Sequence, residues 1–270
     1  MRGCYTESVV SFKHILFTVD EAGVALVTIN RPEKRNALSR AVVAELGAAF
    51  DRVAEDAAIR AAIVTGAGDA AFVAGADIGE LAALPAMELR QFLLDGQRMV
   101  RRLETAGKPS VAAVNGFALG GGLELAMGAT VRLCSENAKL GQPEVKLGLI
   151  PGFGGSQRLP RLVGRGRAIE MLVSGEPIGA AEAWRIGLVN AVMPRAELLE
   201  RARAWLVTVL RNSPLAVRLA MEAVDRGLDG GLEEGLRLET SLVGTMADSE
   251  DFREGTRAFL SKRAPKFTGK

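Results

Sequence analysis

The chain has 270 residues, 48% of them apolar, which allows one large domain or two small ones with an ample core. Lys and Arg number 34 against 32 for Asp and Glu, with no dense basic block, which argues against a dedicated nucleic-acid binder, and no run nears the roughly 18 apolar residues of a membrane span. Cys4 and Cys134 cannot build a disulfide framework or a four-thiolate zinc site, and the single histidine, His14, leaves neither a Ser-His-Asp triad nor a multi-histidine metal site in reach.

The chemistry therefore falls to carboxylates, hydroxyls, lysines or backbone amides. Residues 1–13 lack a long apolar stretch and read as a loose extension rather than a secretory signal. With so few cysteines, a reducing, cytoplasmic setting is expected. Residues 14–19 and 24–29 alternate apolar and polar side chains around Glu21-Ala-Gly23, which predicts a hairpin. Arg31-Pro-Glu-Lys-Arg-Asn-Ala-Leu38 reads as a loop that closes on Ser39, a helix N-cap, and the helix that follows to about residue 54 turns Val42, Val43, Leu46 and Phe50 inward. Residues 61–65 predict a short buried strand, broken by Gly66-Ala-Gly68. The stretch 71–80 reads as a partly buried loop whose small residues leave backbone amides accessible, or as an ordinary strand-to-helix connection. A helix over 87–105 then returns the chain to a buried strand at 110–114.

After that strand comes Asn115-Gly-Phe-Ala-Leu-Gly-Gly-Gly-Leu-Glu124, read as a Gly-rich turn opening a helix. The first N–H groups of a helix lack intrahelical partners, and glycine lets a ligand approach them closely, so an oxyanion is stabilised there. Tight packing of helix on strand and a phosphate cradle are the competing readings. The cradle lacks both the Lys-Ser/Thr ending of a P-loop and a well-spaced G-x-G-x-x-G, and Glu124 would repel a phosphate. Residues 130–134 read as another strand. Gly141-Gln-Pro-Glu144 then brings a second carboxylate, and Pro151-Gly-Phe-Gly-Gly155 more glycines able to expose backbone donors. Taken singly, Glu124 and Glu144 each read as exposed surface glutamates.

Helical segments to about 174, a short helix over 178–186 and a last strand over 188–192 complete an α/β core with parallel strands. From residue 194 the strand signals stop. Helical patterns over 198–210, 215–226, 232–246 and 248–260 form a packing lid or an assembly surface, and the basic cluster from Lys262 to Lys266 reads as a solvated terminus.

Four separated signatures in this order, Arg31-Pro-Glu-Lys-Arg-Asn-Ala-Leu38, Ala74-Gly-Ala-Asp77, Asn115-Gly through Glu124, and Gly141-Gln-Pro-Glu144 with Pro151-Gly-Phe-Gly-Gly155, resemble the enoyl-CoA hydratase/isomerase (crotonase) family from about residue 14 to 268. The resemblance implies an α/β crotonase (ClpP/crotonase-like) core of repeated ββα units over 14–193 and a C-terminal helical trimerisation region over 194–268, assembled as a homotrimer or a hexamer of two trimers. It implies an acyl-CoA thioester substrate, no separate cofactor and no metal. The N–H groups of Ala76 and Gly121 match the family's oxyanion hole. Glu124 and Glu144 match the paired glutamates of members that hydrate a 2-enoyl-CoA, with Glu124 activating water and Glu144 handling the C2 proton. Coenzyme A contacts fall by the same resemblance on Arg35, Ala37, Ala74, Asp77, Ile78 and Lys262, while Gly79 stands where some close hydratases carry lysine. Leu81, Leu84, Phe92 and Leu93 are expected to line the acyl pocket, with a short straight chain as the central expectation. A Δ3-Δ2 enoyl-CoA isomerase and a CoA-fold binding or scaffold protein with weak RNA affinity are the alternative readings.

Overall fold

The computed structural model describes residues 12–270, so Cys4 and nearly all of the expected N-terminal extension lie outside the described residues. β1 (Ile15–Val19) and β2 (Val24–Ile29) form the hairpin, with Ile15 opposite Ile29. Its turn is fixed by Asp20, whose carboxylate accepts the N–H groups of Ala22 and Val24 at 2.9 and 3.0 Å. α1 (Arg40–Glu55) starts at Ser39, whose hydroxyl accepts the Val42 N–H, and it buries Val42, Val43, Leu46 and Phe50 as the periodicity requires.

The chain then repeats one pattern three times. β3 (Ala61–Gly66), β4 (Ala71–Val73), α2 (Ile78–Leu81) and α3 (Ala86–Glu104) make the first passage. β5 (Ser110–Val114), β6 (Phe117–Leu119) and α4 (Gly121–Met127) make the second. β7 (Val131–Ser135), β8 (Lys139–Gly141), α5 (Gly155–Val163) and α6 (Arg165–Ser174) make the third. Each first strand joins a six-stranded sheet of order β1-β2-β3-β5-β7-β10, and each second strand joins a four-stranded sheet of order β4-β6-β8-β9. β9 (Ile178–Gly179) pairs antiparallel with β8, α7 (Ala180–Arg185) follows, and β10 (Ala191–Met193) pairs parallel with β7. From β2 onward the large sheet is parallel, and β4, β6 and β8 are parallel to one another.

Four expectations are corrected here. The 71–80 stretch is not all loop, because Ala71–Val73 is a buried strand, and the Gly-rich turn after residue 114 contains the strand Phe117–Leu119. Three-residue strands carry too little periodicity to be read from sequence. The 178–186 segment likewise begins as a strand, and the last strand sits at Ala191–Met193 rather than at 188–192.

The corners between the two sheets depend on Gly66 and Gly116, where a Cβ would stand 2.2 Å from the Phe72 carbonyl oxygen and 2.4 Å from that of Ala70. Buried amides tie the same corners. Asn115 Nδ2 donates to the carbonyls of Gly66 and Gly68, and Asn36 Nδ2 donates to those of Ala67 and Ala71.

The main core joins Leu46 and Phe50 of α1, Met99 and Leu103 of α3, and Leu123 and Leu125 of α4 to the strands. A second cluster covers other large-sheet side chains, including Ile63, Val111 and Leu133, with Leu198, Ala202 and Leu206 of α8 (Leu198–Val209). α9 (Pro214–Gly227), α10 (Leu232–Met246) and α11 (Glu250–Leu260) complete the chain and expose large apolar side chains, among them Leu232 at 78% and Phe259 at 83%. Among the described residues no helix is long and apolar enough to cross a membrane.

Candidate active site

Parallel pairing of β4 with β6 sets Val73 beside Ala118. Three residues further along each chain stand Ala76 and Gly121. Ala76 is held by a parallel bridge to Leu38, in which the Leu38 N–H donates to the Gly75 carbonyl and the Asp77 N–H to the Leu38 carbonyl, both at 2.9 Å. Gly121 is the first residue of α4, where a helical N–H has no intrahelical acceptor. Among the described residues no protein group accepts the N–H of Ala76 or of Gly121. Gly120, at φ 51°, sets the entry to α4, and a Cβ on Gly122 would stand 2.1 Å from the Val73 carbonyl oxygen, so α4 can lie against β4 only with glycine there.

One turn into α4, Glu124 is 1% exposed, which overturns its reading as a surface glutamate. Its Oε1 accepts two backbone bonds, from the Phe153 N–H at 2.7 Å and the Gly155 N–H at 2.6 Å. The glycine-rich 152–155 stretch thus exposes backbone donors as the sequence suggested, but those of Phe153 and Gly155 are aimed at a carboxylate of this chain. Burial pushes the Glu124 carboxyl up to about 7, with the Glu144 charge adding to the rise and the Gly155 and Phe153 N–H groups opposing it.

Glu144 begins a short 3-10 turn over Glu144–Leu147 and is half-buried, again against the surface reading. Its carboxylate approaches Gly120, whose Cβ position lies 2.8 Å from Oε1, so it flanks the start of α4 from the side of β8. Burial raises its pKa above the ordinary carboxylate range. The completely buried Gln142 turns its amide to Glu144, and with its nitrogen and oxygen assigned so that both find partners, the nitrogen lies 2.9 Å from Oε1 and 3.1 Å from Oε2. Two carboxyl groups with raised pKa values beside two unpaired N–H groups can hold a water, exchange protons with it and stabilise a developing oxyanion.

The other expected positions divide. Arg35 is exposed at φ 49° in the loop before α1, and its carbonyl accepts the Ala74 N–H at 3.1 Å, which stitches the 35–38 and 74–78 segments together. Ala37 is half-buried, its N–H donating to the Lys34 carbonyl, and Ile78, the first residue of α2, is 47% exposed. The Asp77 carboxylate is engaged by Arg31 at 3.3 Å, and Arg31 also donates to the Ala37 carbonyl at 2.8 Å, so this aspartate braces the two segments. Lys262 follows α11 at φ 52°, exposed, and no hydrogen bond or ion pair among the described residues brings it to the other site residues. Phe92 is buried with its ring edge-on to Phe153 at 5.3 Å, and Leu81, Leu84 and Leu93 pack partly buried beside that cluster.

Sequence reasoning assigned no role to Gln142, Arg31, Arg158 or Glu104. Gln142 left a signal, a polar residue between glycine and proline two positions before a candidate carboxylate. For the others the partners lie 46 and 54 positions away; Arg31 stands in the 31–38 signature but nothing there points to Asp77, and no local pattern marks Arg158 or Glu104.

The family described as Enoyl-CoA hydratase/isomerase matches residues 20–270. A short-chain-enoyl-CoA hydratase of Clostridium acetobutylicum is 44% identical over 243 residues, covering 90% of this chain and 93% of its own. A crotonyl-CoA hydratase of Syntrophomonas wolfei is 44% identical over 260 residues, covering 96% and 100%. Among solved structures, an enoyl-CoA hydratase from Bacillus anthracis superposes with a TM-score of 0.92 at 38% identity, covering 96% of this chain and 100% of its own.

Proposed function

Because the chain belongs to the enoyl-CoA hydratase/isomerase family, we propose that it reversibly adds water to a trans-2-enoyl-CoA to give a 3-hydroxyacyl-CoA. The observation that carries this reading is the sealed Glu124 beside Glu144, both with raised pKa values, next to the unpaired N–H groups of Ala76 and Gly121.

The thioester oxygen accepts from Ala76 and Gly121. As water attacks C3, the C2–C3 electron pair moves onto C2 and the carbonyl, and the two donors stabilise the enolate oxygen. One such donor is worth about 2.7–4 kcal/mol in the transition state. Glu124, ionised, accepts the water proton; Glu144, protonated, delivers a proton to C2. One carboxyl group is neutral at the start and the other at the end, so the cycle closes by a single proton exchange between them and solvent. Burial raises both carboxyls, Glu124 to about 7, so the pair retains a proton near neutral pH, and hydration proceeds from the arrangement in which Glu144 carries it.

Coenzyme A lies along the joined 35–38 and 74–78 segments, touching Arg35, Ala37, Ala74, Asp77 and Ile78, with Lys262 reaching the phosphates from a neighbouring subunit. The acyl chain is short and straight, its end directed toward Phe92, Leu93, Leu81 and Leu84. The assembly is a homotrimer or a hexamer of trimers, for which the exposed Leu232, Leu236, Phe259 and Leu260 of α10 and α11 supply apolar surface. A cytoplasmic location accords with the sparse cysteines.

The test is loss of the conjugated-enone ultraviolet absorbance of crotonyl-CoA with the native protein, Glu124→Gln and Glu144→Gln. Turnover by the native protein and at least about a 100-fold loss in each variant are expected. Full activity in either variant removes that glutamate from the mechanism.

A further inference from the structure

The carboxylate clamp on Glu124 has a support of its own. Its two donors, the N–H groups of Phe153 and Gly155, belong to different peptide units. The peptide between them carries the Phe153 carbonyl, and the orientation of that carbonyl fixes how the two donors stand relative to each other. Arg158, one turn into α5, donates from Nη1 to the Phe153 carbonyl at 3.0 Å. Its other edge is locked to Glu104 at the end of α3, Nε to Oε1 at 3.1 Å and Nη2 to Oε2 at 3.0 Å. The fit is specific to glycine at 154, which takes φ 107° and where a Cβ would stand 2.2 Å from Arg158 Nη1.

We infer that Arg158 is a positioning residue for Glu124: clamped by Glu104, its guanidinium holds the Phe153 carbonyl and thereby aims the Phe153 and Gly155 N–H groups at Glu124 Oε1. Three bonds in one plane require the guanidinium fork, which lysine cannot reproduce. The positive charge has a second effect, because it favours the ionised form of Glu124 against burial and against the neighbouring Glu144. Burial opposes the charge of Glu104, yet Arg158 and Arg101 outweigh it and keep that carboxyl below its usual range, so the anchor stays ionised where Glu124 titrates. The other charged groups around this anchor line one cavity of about 490 Å³ with Arg101, Glu104 and Arg158: Asp225 of α9, Asp229 just beyond it, Arg132 of β7 and Arg161 of α5. Burial, chiefly, with the charge of Glu104, raises the Asp225 carboxyl.

The inference rests on Glu124 being the proton acceptor, and its test has one readout independent of turnover. Arg158→Met, Arg158→Lys and Glu104→Gln are compared with the native protein by steady-state kinetics on crotonyl-CoA. The Glu124 carboxyl is titrated in each by carbon-13 NMR, with Glu124→Gln as the assignment control. Arg158→Met is expected to lose about 10- to 100-fold in kcat with KM nearly unchanged, since small misplacements of a reacting group cost that much. Its Glu124 titration moves to higher pH. Arg158→Lys keeps the charge and moves the titration less, while kcat still falls because the fork is gone; Glu104→Gln falls between native and Arg158→Met. An unchanged Glu124 titration and native kcat in Glu104→Gln and Arg158→Lys overturn the inference, even if Arg158→Met melts early. A native protein that titrates as expected but turns over no enoyl-CoA refutes the hydratase reading and leaves the positioning role of Arg158 standing.

Discussion

Replacing Glu124 by glutamine removes a carboxyl group whose protonation is coupled to folding. Burial lifts its pKa from the ordinary 4.5 to about 7, so the folded chain holds that proton more tightly than the unfolded chain. The resulting stability is complete below pH 4.5 and is lost as pH rises through about 7. At about 1.4 kcal/mol per factor of ten, the whole effect is about 3.5 kcal/mol, of which about 2.5 kcal/mol falls between about pH 5 and about pH 8.5. Glutamine cannot titrate, yet its amide oxygen can still accept the Phe153 and Gly155 N–H groups. Urea unfolding of both proteins at fixed concentration across this range gives the difference, in which titrating groups not coupled to Glu124 cancel. The variant is expected to gain about 2.5 kcal/mol relative to the native protein as pH rises. A difference that stays flat across the range would falsify the account of Glu124 as a sealed, strongly shifted carboxyl.

Three further outcomes follow from the geometry. Gln142→Leu frees both Glu144 oxygens from the amide and is expected to lower kcat about 10- to 100-fold; native kcat would show that Glu144 is held by its turn alone. Gly154→Ala forces a side chain into a φ of 107° and against Arg158, costing about 1–3 kcal/mol by chemical unfolding; native stability would mean that the 152–155 loop relaxes freely. Truncation after Pro194 removes Leu198 and Leu206 from the large-sheet cluster, about 1.5–3 kcal/mol of burial each. Aggregation and loss of assembly are expected in light scattering, and a soluble, fully active monomer would refute the proposed role of the helical tail.

Much of this arrangement was legible in the sequence for identifiable reasons. The hairpin, α1 and α3 carry long periodic patterns, and Ser39 marks the start of α1 by its cap. Glu124 and the glycines before it stood out because a strand, three glycines and a helical run meet there. The small sheet was not legible, since β4, β6 and β8 are three residues each and their pairing is entirely non-local. The burial of Glu124 was missed for the same kind of reason. What seals it comes from Phe153 and Gly155, 29 and 31 positions away, and only the fold brings them there. Asn36 and Asn115 likewise look like ordinary loop residues until the corners they brace are seen.

The most direct test of paired-carboxylate hydration is the mass of the product formed from crotonyl-CoA in oxygen-18 water, with a parallel reaction in deuterium oxide. The account predicts one oxygen-18 at C3 in the first and one deuterium at C2 in the second, both slowed to a small fraction by Glu124→Gln or Glu144→Gln. Deuterium exchanged into the thioester with no oxygen-18 gained would contradict it and point to proton shuttling in an isomerase.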